Sequence, residues 1–370
     1  YAPGEIAEPY DKLVIATGST AFVPPLEGMA GEATVFKEGV FVFRTLDDCA
    51  GMINYAAKAR KVAIIGGGLL GLEAARGLIT RGLEVHVVHL FSHLMEMQLD
   101  QEAAAMLRHT LEQRGVHVHL EKASTAILGD ERVTGLAFKD GSTLECDMLV
   151  ISAGIVPNVD LARQAGLSVR RGITVHNNLS TRNDPDIYAI GECAEHQSRT
   201  YGLVAPAWEQ ARVLADHITG ANSHAVYQGS RVSTKLKVMG VDLAVLGDKE
   251  VRRDGDEVVT YVEPSRGVYK KLIIRDGHLA GAILMGDGVT IPRLLQSFDR
   301  YEGVPENRTE ILFPLAGEAK ELNVEDLPDT AQVCNCNGVS KGKIMATVKT
   351  GHRSLKEVCD ATRAGTGCGT

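Results

Sequence analysis

The stretch KVAIIGGGLLGLE, residues 61–73, decides the fold. Lys61 leads into Val62, Ala63, Ile64 and Ile65, an apolar run of strand length. Gly66, Gly68 and Gly71 follow in the spacing G-x-G-x-x-G. Over 69–82 the apolar Leu69, Leu72, Ala75 and Leu78 recur at helical spacing. The pattern therefore predicts strand, glycine turn and helix, the context in which the motif means a dinucleotide site. Gly66 permits the tight turn, Gly68 lets the backbone approach a pyrophosphate, and Gly71 lets helix pack close on strand. The pyrophosphate is expected on the N–H groups at the positive end of the helix. A second strand is expected over 83–89. The acid that reads a ribose 2′-hydroxyl belongs ~20 residues past the first glycine. There, within 86–90, stands His89 with neither an acid nor an arginine, which leaves NADH and NADPH equally open. The alternative is a strand–helix turn that holds no ligand.

A chain of 370 residues is long enough for two or three domains with ample core. A net charge of −8 argues against a nucleic-acid surface, which needs clustered Lys and Arg. No apolar run approaches the ~20 residues that span a bilayer, and no secretory leader is seen, so the expected location is the cytoplasm. The opening residues run straight into a strand ending in ATG, with no earlier glycine fingerprint, and the chain reads as a fragment cut at both ends. Seven cysteines in such a setting point to metal binding or catalysis before disulfides. Cys49, Cys146 and Cys193 are scattered and read as buried free thiols. Cys334, Cys336, Cys359 and Cys368 gather near the end.

Four motifs occur in order: LVIATGS at 13–19, the fingerprint at 66–71, ISAGIVPN at 151–158 and DIYAIGECA at 186–194. Together they resemble the signatures of the pyridine nucleotide–disulfide oxidoreductase family, the two-dinucleotide flavoprotein reductases. The resemblance implies an α/β architecture, an FAD domain interrupted by a Rossmann-like NAD(P)H domain, then an α+β C-terminal domain. It places the remainder of the FAD domain at 1–44, the NAD(P)H domain at 45–157, the returning FAD segment at 158–224 and the C-terminal reductase domain at 225–315. That last domain often packs subunits or caps the flavin in the family, so a homodimer is among the expected states. Thr17 and Gly18, and Gly154 with Pro157 and Asn158, are expected where the chain passes close to a cofactor. Gly191 and Glu192 stand at the FAD ribityl chain, Glu192 being one methylene longer than the family's usual Asp. Pro206 is expected to open a helix over 207–218 whose first N–H groups face the flavin's pyrimidine carbonyl. Glu73 resembles the acidic residue near the nicotinamide, with a solvated helix-face glutamate as the alternative. Trp208 beside that helix reads as packing or stacking. Of the paired cysteines that the disulfide reductases use, only Cys193 is in view, with no partner at such spacing, and a preceding segment could hold one.

Hairpins are expected at 133–139 with 143–151, turning on Asp140-Gly141, and at 271–275 with 278–285, turning on Asp276-Gly277. His117 and His119 share a strand face without a third ligand near them, and His86 and His89 fall on opposite faces. No metal is expected at any of the four.

An acidic, proline-containing linker at 316–330 leads to VCNCNGVSKGKI at 333–344 and TRAGTGCGT at 362–370. A helix is expected over 340–349 and a second from the capping box Ser354-x-x-Glu357 to about 363. Residues 331–370 resemble the small helical bacterioferritin-associated ferredoxin-like [2Fe-2S] domain, whose ligands run C-x-C, about thirty residues, then C-x-x-C. Thirty-one residues separate Cys336 from Cys368. The resemblance implies Cys334, Cys336 and Cys368 as cluster ligands, the fourth falling just past Thr370 or being Cys359. Four thiolates suit [2Fe-2S]; they suit structural zinc as well.

The module order, with RTLDDC at 44–49, HLFSHLMEMQLD at 89–100 and STKLKVMGVDL at 233–243, resembles the large subunits of the assimilatory NAD(P)H nitrite reductase family. In that family a sirohaem and [4Fe-4S] domain follows and reduces nitrite to ammonia. The resemblance implies electrons entering as hydride from NAD(P)H, passing through FAD and leaving singly through the [2Fe-2S] cluster, toward that downstream domain. The rivals are an electron-transfer subunit serving a nitrate reductase catalytic subunit, a rubredoxin or ferredoxin reductase, and a non-catalytic redox sensor or cluster-binding protein.

Overall fold

The computed structural model describes residues 8–29, 36–238, 240–313, 327–334 and 337–366. The chain divides into two compact units: Ala21–Val156 with Arg231–Leu315, and Tyr1–Thr20 with Pro157–Ser230 and Ala316–Thr370.

The first unit is built on a five-stranded sheet in the order Val40–Val42, Met148–Ile151, Lys61–Ile65, Glu84–Val88, Val116–His119, every pair parallel. Strand Lys61–Ile65 feeds helix Leu69–Ile79 through the glycine turn, as the spacing predicts. A central parallel strand is covered on both faces, which is why its apolar run is continuous. Val62 and Ile64 pack with Leu72, Ala75 and Leu78 of that helix, and with Leu107 and Leu111 of helix Gln101–Gln113. Ala63 and Ile65 face the other way, onto Leu136, Leu149 and Ile151. Strand Val40–Val42 precedes the expected boundary at Arg44, yet it forms the edge of this sheet.

The first hairpin departs from expectation. Thr143–Glu145 pairs back on Gly135–Phe138, whereas Met148–Ile151 leaves to join the parallel sheet. Asp147 makes the break, its carboxylate accepting the N–H groups of Arg60 and Lys61 at 2.9–3.1 Å.

The same unit holds an antiparallel sheet ordered Ser233–Val238, Val241–Gly247, His278–Met285, Val268–Arg275, Glu257–Glu263. Its tight hairpin forms as predicted, with Asp276 at φ 51° and Gly277 at φ 71°, the left-handed pair a two-residue turn needs. Leu243, Val245, Ile283 and Met285 enter the core that holds Leu72 and Leu107. On the other face, Leu246, Leu272 and Leu284 meet Ile291, Leu294 and Phe298 of helix Thr290–Asp299.

Asp100 clasps these two parts together. It caps helix Gln101–Gln113 by accepting from the Ala103 N–H at 3.0 Å, and it accepts from the Tyr269 hydroxyl at 2.7 Å and the Lys271 ammonium at 2.8 Å. The side chains of Asp100 and Lys271 are only 11% and 12% exposed. Asp100→Ala would remove a helix cap and leave the nearly buried Lys271 ammonium with the exposed Glu250 carboxylate at 3.3 Å in place of its closer partner, so we expect a loss of about 3 kcal/mol in stability. Denaturant unfolding reads it directly, and a loss under ~1 kcal/mol, the worth of a surface pair, would show that the clasp does not hold the parts together.

In the second unit Leu13–Ile15 pairs in parallel with Ile187–Ala189, and Ile173–Val175 with Ala194–His196. Helix Val204–Thr219 follows and ends on Gly220 at φ 74°. The tail forms an antiparallel pair, Gln332–Cys334 with Val339–Ser340, then helices Lys341–Lys349 and Leu355–Thr362. Ser340 caps the first of these helices, and the reciprocal Ser354–Glu357 box opens the second as predicted. Among the described residues no helix is long and apolar enough to cross a membrane.

Candidate functional site

The nucleotide turn is shaped by clashes that only glycine avoids. Gly66 sits at φ 119°, and a Cβ there would lie 2.1 Å from the Ser152 carbonyl oxygen. A Cβ on Gly71 would lie 1.9 Å from the Gly66 carbonyl oxygen. At Gly68, by contrast, a Cβ meets nothing within 4 Å. Gly68 is the N-cap of helix Leu69–Ile79 and offers no side-chain cap. The first-turn N–H groups thus border open space, which fits an anionic group.

His89, expected near the ribose, is only 6% exposed and has both ring nitrogens engaged within the fold. Nδ1 accepts the Gly67 N–H at 3.0 Å, which fixes the proton on Nε2, and Nε2 donates to Glu96 at 2.9 Å. That hydrogen bond is the chief reason the Glu96 carboxyl stays below its ordinary value. The ring therefore fastens the glycine turn to the following loop. Glu73 is solvent-accessible on the glycine-turn helix. The surrounding protein raises its carboxyl above the usual value, with Arg76 pulling the other way. Gly154 leaves the same sheet at φ 117° with open space at its Cβ position.

In the second unit Thr17 and Asn158 hold each other. The Thr17 hydroxyl donates to the Asn158 carbonyl at 2.6 Å, and the Asn158 amide donates back to the Thr17 carbonyl at 2.9 Å. Gly18 (φ 67°) and Gly191 (φ 80°) both border open space. Glu192 accepts from the Ser19 hydroxyl at 2.6 Å, and the Gly191 N–H donates to Gln210 at 2.7 Å. Gln210 is 1% exposed. Sequence reasoning missed both Ser19 and Gln210. The available signal was a lone amide on the apolar side of a helix, which must find a partner when buried. Pro206 is buried in the first turn of helix Val204–Thr219, which begins before it. The first turn has no intrahelical N–H bond for a proline to lose.

In the tail Cys334 is 7% exposed. The Gly365 N–H donates to its sulfur at 3.5 Å, and the Asn337 amide lies 4.0 Å away while donating to the Arg363 carbonyl at 2.7 Å. N–H groups aimed at a sulfur suit a thiolate that ligates a cluster. Cys336 and Cys368 lie outside the described residues. Cys359 sits half-buried on helix Leu355–Thr362. Cys146 and Cys193 are buried thiols, and burial pushes Cys146 up to about 12, away from reactivity.

One expectation is corrected. His117 and His119 do have ligand-type neighbours, because strand pairing brings His86 and Glu84 beside them.

Residues 4–211 match the family model described as Pyridine nucleotide-disulphide oxidoreductase, 233–300 the Rubredoxin NAD+ reductase C-terminal domain, and 332–370 the BFD-like [2Fe-2S] binding domain. The chain belongs to the pyridine nucleotide-disulphide oxidoreductase family, the two-dinucleotide flavoprotein reductases, with a [2Fe-2S] module at its end. Its cofactors are those of these modules: FAD, NAD(P)H and a [2Fe-2S] cluster. It is 42% identical over 364 residues to a nitrite reductase [NAD(P)H] of Bacillus subtilis, covering 98% of this chain and 44% of that protein. It is 41% identical over 361 residues to the assimilatory nitrate reductase electron transfer subunit of the same organism, covering 97% and 45%. The solved ferredoxin reductase for the CYP199A2 system from Rhodopseudomonas palustris superposes with a TM-score of 0.66 at 29% identity, covering 75% of this chain and 67% of that one. The chain spans less than half the length of these two curated relatives.

Proposed function

We propose that this chain is the electron-input part of a cytoplasmic assimilatory nitrite reductase, taking electrons from NAD(P)H and delivering them toward a sirohaem and [4Fe-4S] domain that reduces nitrite to ammonia. The observation that carries this reading is one chain holding both an open glycine turn and a buried, amide-facing thiol. When bound, the nicotinamide, FAD and the cluster supply hydride transfer and its division into single electrons.

The chain's own residues bind and orient those groups. Gly68 and the N–H groups behind it seat the pyrophosphate, and His89 keeps the turn in shape through the Gly67 N–H. Glu73 lies near the nicotinamide, where its raised pKa suits a carboxyl beside a reacting ring. Thr17, Gly18, Gly154 and Gly191 let backbone approach the FAD. Glu192 takes the ribityl hydroxyls, held in place by Ser19. Pro206 stands in the first turn of a helix, Val204–Thr219, whose uncapped N-terminus faces the flavin ring. Cys334, with Cys336, Cys368 and a fourth thiolate from Cys359 or from beyond Thr370, holds the cluster. The likeness to the nitrate reductase electron transfer subunit supports a second reading, in which a separate nitrate reductase subunit receives the electrons.

The test is an anaerobic NAD(P)H titration of the full-length protein, followed by nitrite or nitrate. Bleaching of flavin and cluster bands, reversed by nitrite alone, is expected. No reversal by nitrite, with reversal by nitrate once a nitrate reductase catalytic subunit is added, would move the assignment to the second reading. No bleaching with either nucleotide would end both.

A further inference from the structure

The nucleotide sheet carries a cluster of ligating side chains that none of the cofactor sites uses. Parallel pairing sets His86 opposite His117 and Val88 opposite His119. Glu84 lies two residues before His86, so Glu84, His86, His117 and His119 share one face. On that face the apolar covering of Val88, Leu149 and Ile151 gives way to polar side chains toward the sheet edge formed by Val116–His119. One ligand atom each from Glu84, His86 and His117 lies within 4.8 Å of the other two. The His86 and His117 rings stack at 4.5 Å, 18° from parallel. His86 Nε2 is 2.8 Å from a Glu84 carboxylate oxygen, and its Nδ1 is 2.9 Å from His119 Nε2.

We propose that Glu84, His86 and His117 form a binding site for a divalent transition ion of the zinc type, with His119 as the outer partner that orients His86. Imidazole and carboxylate are ligands that such ions accept. At bond lengths of ~2.0–2.2 Å, atoms on one ion stand no more than ~4.4 Å apart. Closing the present spread requires the exposed His117 to turn out of its stack on His86, so that its in-plane lone pair meets the same ion, and a smaller adjustment of the exposed Glu84. His86 is the fixed member, 7% exposed. A metal-bound imidazole usually donates its other N–H to an acceptor, which fixes its tautomer. His119 Nε2 stands where that acceptor is needed, 2.9 Å from His86 Nδ1. The solvent side of the three ligands leaves a position for water. Lys61, 3.0 Å from Glu84, competes for the carboxylate and must give way, which sets an upper limit on affinity. A bound ion would pin the edge strand Val116–His119 to its neighbour Glu84–Val88.

The test is equilibrium dialysis of the holoprotein, its tail thiols occupied by the cluster, against Zn²⁺ at micromolar levels, with thermal unfolding in parallel. We expect about one zinc per chain and a raised unfolding temperature. His117→Ala and Glu84→Gln change exposed positions and should fold, yet each should weaken binding tenfold or more and abolish the thermal shift. His119→Gln should keep the ion with affinity reduced ~10-fold or more, as for an orienting partner. Zinc held equally by wild type and a Glu84→Gln/His117→Ala double variant, or no zinc in any of them, overturns the proposal.

Discussion

Gly68→Glu should lower the rate of flavin reduction by NAD(P)H about a thousandfold while leaving the protein folded. Gly68 has φ −85° and ψ −171°, an extended backbone that any residue adopts. Its Cβ position meets nothing within 4 Å, so the apoprotein admits the larger side chain. A glutamate at the N-cap would even interact favourably with the helix N-terminus. The same carboxylate would occupy the seat of the pyrophosphate and repel it. Two like charges ~4 Å apart near a protein surface cost about 4 kcal/mol, close to three powers of ten in binding. The contrast is Gly71→Ala, whose methyl would meet the Gly66 carbonyl oxygen at 1.9 Å and disrupt the turn itself. Stopped-flow absorbance of the flavin band with NADH and NADPH measures the effect. Reduction by dithionite serves as the control that FAD is still held. A Gly68→Glu protein reduced by nucleotide at the wild-type rate would remove the pyrophosphate from this turn.

What was legible in the sequence was whatever is decided by residues close together along the chain. The glycine turn is such a case, because the demands at Gly66 and Gly71 are steric and local. The second tail helix is another, since the capping box joins Ser354 to Glu357 within one turn. The Asp276-Gly277 hairpin needs only two left-handed residues in a row. Most of the misses depend on distant partners. The strand expected over 143–151 breaks because Asp147 binds N–H groups of Arg60 and Lys61, far back in the chain. The counting rule placed His89 at the right end of the right strand. Its engagement with Gly67 and Glu96 appears only once the loop folds back. Glu84, His86, His117 and His119 look unrelated until two strands pair in parallel. Pro206 reads as a helix start, but the first turn tolerates proline at more than one position, so the true start at Val204 was hidden.

Cys334→Ser should separate the two halves of the proposed function. The variant is expected to accept electrons from NAD(P)H at the wild-type rate, because the glycine turn lies in a different compact unit from Cys334. Delivery onward to a one-electron acceptor should fall to background. The reason is chemical and not steric. Serine is nearly the size of cysteine, and the pairing of Gln332–Cys334 with Val339–Ser340 is made by backbone. The hydroxyl, however, does not ionise near neutrality and is a poor ligand for iron that prefers thiolate. The Gly365 N–H aimed at this sulfur would then serve a neutral oxygen and contribute little to holding a charged centre. The measurement pairs stopped-flow flavin reduction with electron delivery to a soluble protein acceptor, and adds iron content and the low-temperature paramagnetic signal of the reduced cluster. Loss of iron, signal and onward delivery together, with nucleotide oxidation kept, is the expected pattern. A variant that loses bound zinc yet still delivers electrons would make the tail a structural zinc module. A variant that loses nucleotide oxidation as well would mean that the tail supports the reductase fold and does not serve as its electron exit.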